Sequence, residues 1–157
     1  FWAVRLNGLV QDSNVPGRSS AVFDNRYGIA GAVIFKPGDT FKLTLDGYYM
    51  KFDQMPDWGV PFDITKRRPF TESGLSRSAF YGLTQRDFQK NEQGIATATA
   101  EWTVSPFLTL SSKLRYGRTV TDYVATKPGT PNLASINPTL WTVPATAASR
   151  YQVNTIM

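Results

Sequence analysis

At 157 residues, with 41% hydrophobic and 18% charged side chains, the chain is long enough for one domain and too apolar to stay disordered. It contains neither cysteine nor histidine, which removes disulfides, thiolate and imidazole metal sites, and the Ser–His and Cys–His nucleophile pairs. The net charge of +5 comes from residues scattered singly, apart from Lys66-Arg67-Arg68, and no nucleic-acid module accompanies it, so nucleic acid is not an expected partner.

No stretch approaches the roughly 18 continuous apolar residues of a membrane helix. The chain instead alternates with period two, the signature of strands with one apolar face. Residues 1–12 (FWAVRLNGLVQD) set Trp2, Val4, Leu6, Gly8 and Val10 against Arg5, Asn7 and Gln11. Residues 26–36 are rich in glycine and alanine, with Tyr27, Ile29, Val33 and Phe35 as the apolar set. Residues 41–52 oppose Phe41, Leu43, Leu45, Gly47 and Tyr49 to Lys42, Thr44, Asp46 and Tyr48. In 94–104, Gly94, Ala96, Ala98, Ala100, Trp102 and Val104 alternate with Thr97, Thr99 and Glu101. Leu108, Leu110, Leu114 and Tyr116 then face away from Thr109, Lys113 and Arg115, and Tyr151, Val153 and Thr155 face away from Arg150, Gln152 and Asn154.

The connections divide by length. Lys36–Thr40 and Ser105-Pro106 are tight turns, whereas 13–25, 53–91 and 120–148 are long and hold most of the prolines. In an up-and-down meander this puts every short connection at one end and every long one at the other. Compact soluble domains seldom carry structureless loops beyond about 12–15 residues, while transmembrane barrels pair short periplasmic turns with long external loops. Eleven residues at roughly 3.3 Å each, tilted by about 40°, span on the order of 27 Å, close to the apolar band of an outer membrane.

Trp2, Phe35, Phe41, Trp102 and Phe107 lie at the strand ends nearest the short turns, as an interfacial girdle requires, although Phe107 shares the parity of Lys113. Tyr49, Tyr116 and Tyr151 are expected to form the opposite girdle. The alternatives are a passive porin-like outer-membrane channel and a secreted soluble β-domain binding carbohydrate through an aromatic loop. Phosphate-binding and hydrolase motifs are absent from the sequence, no enzyme activity is expected, and Asn137-Pro138-Thr139 is not a glycosylation acceptor because proline is in the middle.

Taken in order, RLNGLVQDSNVPGR (5–18), NRYGIAGAV (25–33), FKLTLDGYYMKFDQMPDWGVPF (41–62) and DFQKNEQGIATATAEW (87–102) resemble the barrel of TonB-dependent ferric siderophore receptors. MPDWGVPF is most similar to the catecholate-type branch. The resemblance implies an all-β fold, an antiparallel up-and-down transmembrane β-barrel segment of about six strands. On this reading 1–157 is a partial barrel domain without the plug domain and the remaining strands, because six strands cannot close. It also implies residence in the bacterial outer membrane, with ferric siderophore, of catecholate type, as transported ligand and no covalent cofactor or metal site. The expected partners are that chelate, the TonB complex acting through a missing N-terminal region, and outer-membrane lipid and lipopolysaccharide.

Pro56 and Pro61 prevent ladder pairing and Gly59 permits an irregular backbone, so residues 53–63 should leave the sheet at the outer rim as the start of the longest loop. A ferric catecholate is aromatic and anionic. Carry-over from the family falls on Met55, Trp58 and Phe62. Phe80 and Tyr81 are further candidates for stacking, and Arg67, Arg68 and Arg86 for charge neutralisation, with Lys66, Arg77 and Arg18 as weaker additions.

Overall fold

The computed structural model describes residues 1–132 and 143–156; Asn137-Pro138-Thr139 lies outside them. Six long strands form one antiparallel sheet: β1 (Trp2–Gln11), β2 (Asp24–Phe35), β3 (Phe41–Gln54), β6 (Phe88–Ser105), β7 (Leu108–Pro128) and β8 (Ala145–Ile156). Each pairs with its predecessor among the long strands. A two-stranded ribbon, β4 (Phe62–Asp63) and β5 (Arg68–Pro69), and a 3-10 turn at Phe70–Ser73 lie within the longest loop.

The register confirms the alternation. Val4 pairs with Val33, Val33 with Leu45, Leu45 with Ala98 and Ala98 with Leu114, so the apolar sets of β1 to β7 share one face. The opposite face carries Arg5, Asp46, Thr97 and Arg115 in one row. A soluble sandwich would bury one of these faces under a second sheet. Here the large side chains of the apolar face stay open, Trp2 and Leu6 at 72% and Leu114 at 71%, and the buried hydrophobics Val22, Phe70 and Ala125 lie at the loop end.

Tyr27 stands eight positions from Phe35, Tyr49 eight from Phe41, and Tyr116 eight from Leu108. At roughly 3.3 Å per residue and a tilt of about 40°, two girdles result, separated by about 20 Å between backbone positions and by more at the ring tips. Tyr151 does not join the upper one. It pairs with Asp122, well beyond Tyr116 on the same strand, because β8 pairs with the upper half of β7. Tyr27 occupies that level instead. The mismatch at Phe107 is resolved by a register shift between Thr103 and Ser105, which leaves Phe107 at the turn with 98% exposure.

Strand lengths depart from expectation at the loop end. β6 begins at Phe88 instead of Gly94, and β7 continues to Pro128, so the long connections shrink to 55–87 and 129–144. Outward positions beyond Tyr49, Gly94 and Tyr116 include the charged Lys51, Glu92, Lys90, Arg118 and Asp122 beside Phe88, Val120 and Val124, and Lys51 bridges Glu92 at 3.4 Å. With charges on the outward face, this part of the hairpin stands above the apolar band.

Candidate functional site

Two loops meet above the β2–β3 edge of the sheet. In the first, Val15 N–H donates to Val22 O at 2.9 Å and Asn14 bridges Phe23, closing a hairpin whose tip needs Gly17 at φ 74°. In the second, the ladder ends after Gln54, two residues later than the sequence predicts, and Asp57 accepts the Gly59 N–H at 2.9 Å while Gly59 takes φ 83°. Met55 N–H donates to Phe23 O at 3.1 Å, so the segments share one backbone seam.

Between them opens a cleft of about 930 Å³, lined among others by Pro16, Arg18, Asp24, Met55, Asp57 and Arg77. Arg18 is its crosspiece. The guanidinium engages both Asp57 oxygens, with Nη2 at 2.8 Å from Oδ1, and also donates to the Arg77 carbonyl. Both partners are largely shielded, at 14% and 15% side-chain exposure, so this is a partly desolvated bidentate pair. Deeper, Asp24 accepts from Arg26 Nε at 2.9 Å and from Gln54 Nε2 at 2.7 Å. The Arg26 bond is the main reason the Asp24 carboxyl sits below its usual range. With both carboxylates matched, Arg77 is the lining cation with no carboxylate within ion-pair distance among the described residues.

Of the principal predicted residues Met55 alone lines the cleft, joined by Arg18 and Arg77 from the weaker additions; Lys66 does not line it. Trp58 lies between two lining residues with 47% of its surface open, and Phe62 is 51% exposed at the start of β4. Arg67 caps the β4–β5 turn at φ 52°, and Arg68 approaches Glu72 at 3.7 Å; neither reaches the cleft wall. Phe80 covers Gly82, where an added Cβ would sit 2.3 Å from its ring. Tyr81 Oη donates to Ser76 O at 2.7 Å; burial raises its hydroxyl pKa, opposed in part by Arg18 nearby. Arg86 is engaged by Asp87 at 3.0 Å and by Thr126 Oγ1 at 2.6 Å. The loop's core is formed by Val22, Pro61 and Phe70, not by the predicted aromatics. Among the described residues no cluster of carboxylates could hold a metal ion.

Arg18→Ala would leave Asp57 shielded with only the Gly59 N–H as partner, a local cost of about 2–3 kcal/mol. Amide exchange at 55–61 should accelerate by more than ten-fold while the strands keep their protection. Unchanged exchange there would mean that the seam at Met55 holds the loops without the crosspiece.

No family model matches the chain. The probable TonB-dependent receptor BfrD of Bordetella pertussis is 34% identical over 127 residues, covering 80% of this chain and 17% of that protein. The probable TonB-dependent siderophore receptor PiuA of Acinetobacter baumannii is 29% identical over 128 residues, with the same coverage of 80% and 17%. Among solved structures, the ferric-catecholate import receptor Fiu from Escherichia coli K12, in its closed form, superposes with a TM-score of 0.81 at 25% identity, covering 98% of this chain and 23% of that one. The chain thus spans about a sixth of the curated relatives it matches (17% in each case). Its sheet corresponds to a contiguous segment of such a receptor: antiparallel, up-and-down transmembrane strands with short turns at one end and long loops at the other.

Proposed function

We propose that this chain is the ligand-gathering arc of an outer-membrane receptor that imports a ferric siderophore of catecholate type, energised by TonB through parts of the protein outside these residues. The observation that carries the reading is the cleft between the two loops. It stands at the long-loop end, above a sheet whose outward face suits lipid, and its wall includes Met55, Pro56, Asp57, Gly59, Arg18 and Arg77. Names of the relatives agree: two are described as siderophore or ferric-catecholate receptors. A catecholate ferric complex is anionic with flat rings. Arg77 supplies an unmatched cation, Met55 a polarisable apolar contact, and the open Trp58 ring a stacking surface. A passive pore would have no need of a latched cleft at its mouth.

The test is ferric-catecholate binding to the full-length receptor. Arg77→Ala is expected to weaken affinity by about ten-fold, the worth of one charge-assisted contact, and Trp58→Ala by several-fold, with barrel assembly normal in both. Undiminished affinity in both variants would reduce the cleft to scaffolding, and equal affinity for a hydroxamate complex would overturn the catecholate assignment.

A further inference from the structure

The outward face of the sheet holds a depression separate from the rim cleft. Between Tyr49 and Tyr116 lies a hollow of about 330 Å³, floored by Gly94 and Ala96 and headed by Glu92 and Arg118. At Ala96 and Tyr116 it adjoins a furrow of about 650 Å³ that crosses the sheet within the apolar band, from Leu114 on β7 past Leu45 and the backbone at Gly47 to Leu6 on β1. Tyr49, Gly94 and Arg118 form one row across β3, β6 and β7. Because the middle member has no side chain, the Tyr49 ring closes to 3.6 Å from where a Gly94 Cβ would be, and the Arg118 side chain borders open space.

Height and charge identify the occupant. Arg118 is one outward position beyond Tyr116, so it stands immediately past the upper girdle, where lipid headgroups lie. Glu92 is bridged to Lys51 at 3.4 Å, and no carboxylate is within ion-pair distance of Arg118 among the described residues. An apolar furrow at acyl-chain depth that ends in an unmatched cation at headgroup depth complements an anionic lipid.

We propose that this is a lipid site: one acyl chain of a phosphate-bearing outer-leaflet lipid lies in the furrow, and its phosphate accepts hydrogen bonds from the Arg118 guanidinium. The Lys66-Arg67-Arg68 run lies at the β4–β5 turn within the longest loop and is no part of this hollow. The proposal rests on the membrane orientation of the sheet and is independent of which chelate is carried.

Native mass spectrometry of the full-length receptor, titrated in detergent with diphosphoryl lipid A or its dephosphorylated form, tests it. The wild type should retain the phosphorylated lipid about five-fold better, the effect of roughly one basic residue at an anionic surface. Arg118→Gln should remove that preference, Arg118→Lys restore most of it, and Ala96→Phe, which fills the hollow, weaken both lipids. Equal retention of the two lipids by the wild type would overturn the proposal, whether or not the variants assemble. So would an unchanged preference in Arg118→Gln, or displacement of lipid A by millimolar inorganic phosphate, which would mark a free-anion site.

Discussion

Arginine introduced at Ala98 of the full-length protein is expected to abolish most of the assembled barrel, while arginine at the adjacent Thr99 leaves most of it intact. Ala98 pairs with Leu45 and Leu114 on the outward face and lies midway between Trp102 and Gly94, which mark the two girdle levels on that strand. A cation there meets the acyl chains at their centre, with no water and no carboxylate in reach, and costs about 2–4 kcal/mol. Thr99 pairs with Thr44 and Lys113 on the hydrated face. Its replacement meets a like charge, a penalty of about 0.2–1 kcal/mol, smaller by enough to separate the variants. Urea titration of the protein refolded into lipid, read by heat-modifiable gel mobility, measures the difference. Equal losses at the two positions would contradict the assignment of faces.

The part of the fold that alternation reveals is the part that separates two solvents. Within the apolar band a one-residue slip would expose Lys113 and Arg115 to lipid, so the sequence is forced to write its register plainly. Above the band both faces are wet, that constraint lapses, and FQKNEQ and TVTDYVATK read as loop although the structure continues β6 and β7 through them. The β-branched content of 119–126 was a usable signal. Tyr151 was misplaced for a related reason: a girdle position depends on where its strand pairs, and β8 engages only the upper part of β7.

The candidate site was legible only in part. Proline and glycine spacing located the departure from the sheet to within two residues, but the crosspiece joins Arg18 to Asp57 across 39 residues, and no local pattern announces it. Side chains that looked like ligand contacts by type were taken up by the loop itself. Arg86 braces Asp87 and Thr126, and Phe80 covers Gly82. In a long external loop the demand for internal hydrogen bonds competes with the demand for a binding surface, and composition alone does not tell which residue serves which.

Asp87 is where that internal demand is greatest. Its carboxylate, fully buried, accepts the Leu83 N–H at 3.0 Å, the Thr126 N–H at 2.9 Å and Arg86 Nε at 3.0 Å, tying the loop's end to the upper part of β7. Asp87→Ala would leave the buried Thr126 amide without its acceptor and release the more exposed Leu83 amide and Arg86 guanidinium, for a loss of about 1–3 kcal/mol in local stability. Burial pushes the Asp87 carboxyl pKa up, but the bonds from Thr126, Leu83 and Arg86 outweigh it and hold the group below its usual value. A lowered folded pKa means that the stabilisation is fully present above the unfolded value of about 3.9 and is lost as pH falls through the folded one. Hydrogen exchange at 83–87 and Thr126 should therefore accelerate as pH falls below about 4, beyond its intrinsic pH dependence, while mid-strand amides of β6 keep their protection. Asp87→Asn, which keeps the shape but cannot ionise, should exchange fast at neutral pH and show no such acid step. Wild-type protection that persisted through the acid range, or an Asn variant as protected as the parent, would show that the loop is held to the strand by packing at Ala125 rather than by the carboxylate.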